Sequence, residues 1–154
     1  MNRISNIDQI PKEYMDDPDF QSKMKTVSVG DFIGSEKIYV NIDYVKPGGE
    51  SVKYHAHSMQ EEFFLIMSGK GLLRMDGEEI SIKTGDVISK PAGKDIAHQF
   101  INNSSEILQI LDVGTREKGD VATYPDENMV YIRDKKMVFN MNDKIENWSS
   151  DPNE

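Results

Sequence analysis

Between Thr26 and Val113 the chain is cut into short β-rich runs by glycine, proline and Asp-Gly pairs, and no amphipathic helical run lies between them. That punctuation is the tightest constraint on the fold. "KIYVNIDYV" alternates Ile38, Val40, Ile42 and Tyr44 against Tyr39, Asn41 and Asp43, the period of a half-buried strand. "VKPGGES" is a turn, "EFFLIM" an apolar run, and "GLLRMDGEEISI" a hairpin closed by Asp76-Gly77. "KTGDVISKPAG", "AHQFINN" and "ILQILDV" supply further strands. About eight short strands of this kind predict an all-β antiparallel sandwich or barrel.

The flanks differ. Residues 1–25 are polar, and Pro11 and Pro18 stop any helix beyond a turn or two, so they are expected to form an arm packed on something else. Residues 26–113 form the barrel. Residues 114–154 form an extension with two more short strands, expected to pack on the barrel and end in a frayed acidic tail. A chain of 154 residues suffices for one domain with its own core.

Charge and composition exclude several classes. A net charge of -9, with lysines and arginines scattered, leaves no basic face for nucleic acid. Cysteine is absent, so no disulfide framework or thiolate metal site exists. "MNRISNIDQIPKEYM" lacks the apolar run of a signal peptide, and no stretch is long enough to span a bilayer as a helix. These features predict a cytoplasmic globular protein without membrane or nucleic-acid partners.

The chemistry concentrates in "YHAHSMQEEFF". Two of the chain's three histidines, His55 and His57, stand two apart, and residues two apart on a strand share a face. The third, His98, lies in another expected strand, "AHQFIN". If the strands are neighbours, three imidazoles and a carboxylate converge, a donor set suited to a divalent transition metal. Glu61 and Glu62 compete for the carboxylate role, since both alternating faces of "FFLIM" are apolar.

The segment "GESVKYHAHSMQEEFFLIMSG" resembles the first cupin motif at Gly49, His55, His57, Glu62 and Gly69. "GDVISKPAGKDIAHQFIN" resembles the second at Gly85, Pro91, Gly93, His98 and Asn102, with two extra residues between Gly93 and His98. "GTR" at Gly114–Arg116 and "YPD" at Tyr124–Asp126 are similar to a branch of small single-domain bacterial cupins. The resemblance implies a double-stranded β-helix, or jelly-roll, barrel. It also implies one metal ion per chain (iron, manganese, nickel, cobalt, copper or zinc) held by His55, His57, Glu62 and His98. Its motif spacing favours Glu62 over Glu61.

Function is left open between two readings. One is a metal-dependent enzyme, dioxygenase-like, on a small oxygenated metabolite; the other is a non-catalytic metal-dependent binding or sensing module. A metal-free epimerase with a histidine base is weaker, because all three histidines are claimed by metal positions. Strand parity puts Phe64 and Ile66 with Glu62, and Phe100 and Asn102 with His98. The expected pocket is therefore mostly apolar, with Tyr44 and Lys53 as polar contacts near its mouth. Arg116 and Tyr124 are expected to tie the extension to the barrel wall. With Glu62 inward, Phe63, Leu65 and Met67 face outward and predict a homodimer.

Overall fold

The computed structural model describes residues 3–16 and 22–145. The expected frayed tail, from residue 146 onward, and the part of the arm at residues 17–21 lie outside the described residues. Thirteen strands run in chain order. They are β1 (Glu13–Asp16), β2 (Lys23–Ser28), β3 (Ile38–Val45), β4 (Ala56–His57), β5 (Glu62–Ser68), β6 (Lys70–Met75), β7 (Glu78–Lys83), β8 (Val87–Lys90), β9 (His98–Ile101), β10 (Leu108–Thr115), β11 (Val121–Tyr124), β12 (Met129–Ile132) and β13 (Met137–Asn140). Among the described residues one short α-helix, α1 (Val29–Ile33), follows β2 and ends on Gly34 in the left-handed conformation. None of the described helices is long and apolar enough to cross a membrane.

One layer is a six-stranded sheet in the order β1-β2-β3-β10-β5-β8. The facing layer comes from the sheets β7-β6-β9 and β13-β12-β11-β4. A bridge joins these two, because His55 and His98 exchange backbone hydrogen bonds at 3.2 and 2.9 Å. The result is a jelly-roll barrel, all-β as the turn punctuation predicts and of the kind the motif resemblance implies. The β6–β7 hairpin turns on Asp76 (φ 49°) and Gly77 (φ 80°), the positive-φ pair that an Asp-Gly two-residue loop supplies.

The interior of the barrel is graded along its axis. At one end Met24, Val45, Ile66, Leu108 and Ile110 pack into a dry core with Phe64, Leu73 and Phe100. Each further row toward the other end is more polar. Thr26–Asp43 precedes Ser28–Asn41–Asp112, and the last row across the sheet is Tyr39–Gly114–Glu62–Lys90. Gly114 matters in that row: a Cβ there would sit 2.4 Å from the Tyr39 ring, so glycine lets the phenol lie across the strand toward Glu62.

This grading inverts the face expected for β3. The alternation read from sequence is present, but Tyr39, Asn41 and Asp43 point into the barrel. Val40, Ile42 and Tyr44 point out, where Ile7 and Ile10 of the N-terminal segment pack on Val27, Ile42 and Tyr44. The apolar face has a cover of its own, so burial alone does not mark it as the inner one. Tyr44 consequently does not reach the cavity, and Lys53 pairs instead with Glu127 at 3.3 Å.

Candidate metal centre

The reciprocal His55–His98 backbone pair fixes two imidazoles on one face, with ring centroids 4.9 Å apart. His57 lies two residues beyond His55, its ring 4.8 Å from that of His55. Glu62 comes from the opposite layer, on β5. It is 4% exposed, whereas Glu61 is exposed on the surface. One ligand atom each from His55, Glu62 and His98 lie within 4.8 Å of one another. His57 flanks this trio with Nε2 3.7 Å from Glu62 Oε1.

Second partners set the tautomers. His55 Nδ1 donates to the Lys53 carbonyl at 2.7 Å, and His57 Nδ1 donates to Asp120 Oδ2 at 2.7 Å. Both rings thereby keep a lone pair on Nε2. Gln60 Nε2 donates to His57 Nε2 at 3.2 Å and to Glu62 Oε1 at 3.0 Å. Tyr39 Oη lies 2.8 Å from Glu62 Oε1 and 3.0 Å from Asp112 Oδ1. Lys90, 1% exposed, brings Nζ to 2.5 Å from Glu62 Oε2 and 2.9 Å from His98 Nδ1.

The protonation states suit a metal. Burial, together with the Lys90 charge, holds His55 down at about 4, and burial also lowers His57 and His98, so all three rings are neutral near pH 7. Burial opposes ionisation of Glu62, but the charges that His98, Lys90 and the other two rings can carry lower it to about 2; near pH 7, with the rings neutral, Lys90 alone supplies that charge. Neutral imidazoles and an ionised carboxylate are the forms that ligate, so the donor set fits a divalent ion. Burial acts oppositely on Asp112, which is raised well above the usual range, with Asp43 and Glu62 adding to the effect.

The cavity over this centre has a volume of about 840 Å³. Its wall mixes polar and apolar surface, with the polar side chains of Tyr39, Asn41, Gln60, Asp112, Tyr124 and Tyr131 among the lining residues. At the mouth Arg116, Lys118 and Arg133 are offset by four exposed carboxylates, Asp31 and Asp134 among them. Arg116 pairs with Asp31, and Tyr124 stacks on His55 with centroids 5.8 Å apart. Both line the cavity as well as tying the extension to the barrel.

Of the residues expected to line the pocket, Phe64 lies against His98 at 4.9 Å between centroids. Ile66 belongs to the core, Phe100 packs there and also lines a smaller cavity beside His98, and the Asn102 amide bonds the carbonyls of Val45 and Glu106. Sequence reasoning missed Tyr39, Gln60, Lys90, Asp112, Asp120 and Arg133. The regular polar set of β3 was the available signal for Tyr39; Asp120, more than sixty positions from His57, had none.

Comparison with known proteins gives three findings. The family model for "Cupin domain" matches residues 42–114. The oxalate-binding protein of Thermotoga maritima is 33% identical over 67 residues, covering 44% of this chain and 54% of that protein. The chain thus spans about half the length of the curated relatives it matches. Among solved structures, a protein of Acidithiobacillus ferrooxidans, provisionally named a sugar phosphate isomerase, superposes with a TM-score of 0.87. It is 26% identical, over 96% of this chain and 98% of that one. A sugar phosphate isomerase from a cupin superfamily of Silicibacter pomeroyi gives 0.80 at 25% identity, over 90% and 93% of the two chains.

Proposed function

The chain belongs to the cupin superfamily, and on that premise we propose that it is a metal-dependent enzyme moving a proton within a small hydroxy-carbonyl compound of the sugar class. The metal would be held by His55, His57, Glu62 and His98. When bound it would polarise a ligand carbonyl or hydroxyl.

The observation that carries this reading is the polar inner row where an apolar pocket was expected. Oxygen chemistry asks little of the protein beyond the metal, whereas proton transfer needs groups within reach of the ligand. Tyr39 has one hydroxyl proton and two carboxyls within hydrogen-bond distance. Tyr39 Oη can donate to either carboxyl, and of the two Asp112 is raised well above the usual carboxylate range by burial while Glu62 is held low, so Asp112 is the one that takes up a proton more readily. Asp112 and Tyr39 both line the cavity, within reach of a ligand there. Isomerisation shifts one proton between adjacent carbons and one between their oxygens, and needs no oxidant or co-reactant.

Cavity size and charge support the same ligand class. About 840 Å³ is far more room than a two-carbon acid needs, and falls in the range of pockets for larger small molecules. A mouth of mixed charge suits a hydroxylated ligand better than a bare dianion. The names carried by the two structural neighbours are consistent with this.

The test is deuterium exchange by NMR in D2O, with metal-loaded protein and a panel of aldoses, ketoses and their phosphates. Exchange at the carbon beside the carbonyl is expected, and His98→Ala should abolish it. Oxygen uptake instead of exchange would favour the dioxygenase reading. Saturable binding with neither would make the protein a binding module, the role in the name of its Thermotoga relative.

The outer face of β5 and the edge strand β8 present Phe63, Met67 and Val87 at 44%, 40% and 64% exposure. We propose that a second copy covers them as a homodimer. Light scattering at micromolar concentration should give twice the chain mass; a monomer would remove this assignment.

A further inference from the structure

Lys90 occupies none of the named positions of the two histidine motifs, yet it is 1% exposed inside the barrel. It stands directly opposite Glu62 in the β5–β8 register, so its side chain shares the inner face with the carboxylate. Its ammonium lies between Glu62 Oε2 and His98 Nδ1, at 2.5 and 2.9 Å. Those are two of the groups assigned above to the metal. We propose that Lys90 is a built-in cation that competes with a divalent metal for Glu62 and His98. This inference rests on the metal reading of the site.

Three physical arguments lead there. Lys90 already neutralises Glu62, so an incoming ion must exchange for a buried ion pair instead of filling an open anionic socket. The ammonium donates to His98 Nδ1, which leaves the ring's own proton on Nε2. Neither nitrogen then offers a lone pair until Lys90 lets go. Finally, a lysine charge left beside a dication in a low-dielectric interior repels it. The protein is thereby set to hold the ions that bind imidazole most strongly, such as copper, nickel and zinc, and to discriminate against manganese.

The experiment measures Zn2+ and Mn2+ affinity by chelator competition for the full-length wild-type chain, Lys90→Met and Lys90→Gln, together with the metal-induced rise in Tm. Lys90→Met removes the charge at similar length, and Lys90→Gln keeps a donor for Glu62 should the first variant fold poorly. Both variants should bind each ion roughly tenfold or more tightly than wild type, about 1.4 kcal/mol per factor of ten, with the larger proportional gain for Mn2+. They should also show a larger metal-induced rise in Tm. Metal uptake by a variant but not by wild type would support the competition in its strongest form. Equal or weaker affinity in folded variants would overturn it and leave Lys90 as a positioning residue, with the metal reading intact. No uptake by any of the three proteins would overturn the metal reading and this inference with it.

Discussion

Glu62→Gln is expected to destabilise the protein by about 3–5 kcal/mol at pH 7 and to abolish metal uptake, because it strands the Lys90 ammonium in the barrel without its counter-charge. The pH dependence separates this cause from a packing defect. Glu62 is held at about 2 in the folded chain, against an ordinary value of 4.5. A depressed carboxyl contributes stability above pH 4.5 and loses it as pH falls toward 2. That contribution is present at neutral pH and is lost progressively through this window. Urea unfolding at pH 7 and pH 3 should therefore show the gap between wild type and variant narrowing on acidification. A gap independent of pH would mean that the ion pair is not its source. The pair Glu62→Leu with Lys90→Met should regain most of the lost stability, since an apolar replacement of a buried pair is often neutral or better, while still taking up no metal.

The elements that were legible from sequence share a physical reason. Turn residues report themselves locally, so the Asp76-Gly77 hairpin and the strand punctuation were readable without partners. The histidine convergence was readable because the period of a strand is fixed at two, and only the adjacency of His55 and His98 had to be supplied by the fold. What failed was the rule that the apolar face points inward. It fails at β3 because Tyr39, Asn41 and Asp43 line cavities on the inner side, and because the N-terminal Ile7 and Ile10 cover the outer face. Lys90 was invisible for another reason. A lysine beside a proline turn reads as solvent-exposed, and only its register opposite Glu62 takes it inside.

Asp120→Asn is the sharper test of whether His57 is a ligand, and it turns on a residue of the C-terminal extension. Asp120 is 1% exposed, holds the 57–60 turn by four contacts and takes a fifth from Arg133. Oδ1 accepts from the backbone N–H of Met59 at 2.9 Å and of Gln60 at 3.2 Å, and from Ser58 Oγ at 3.4 Å. Oδ2 accepts from His57 Nδ1 at 2.7 Å and Arg133 Nη1 at 3.1 Å. Burial opposes its ionisation, but these donors win and hold it at about 2. Alanine would leave several buried donors unsatisfied, at about 1–3 kcal/mol each before relaxation, so its effect on metal binding would be confounded by loss of the turn. Asparagine keeps an oxygen for the two backbone N–H groups and turns an NH2 toward His57. The imidazole must then accept at Nδ1 and carry its proton on Nε2, the wrong tautomer for coordination from that atom. The expected result is a metal affinity lowered roughly 10–100-fold with most of the stability retained. The His57 nitrogen shifts in NMR should report the changed tautomer. Wild-type affinity in a variant with that tautomer change would remove His57 from the ligand set and leave the metal to His55, Glu62 and His98, the three whose ligand atoms already lie within 4.8 Å of one another.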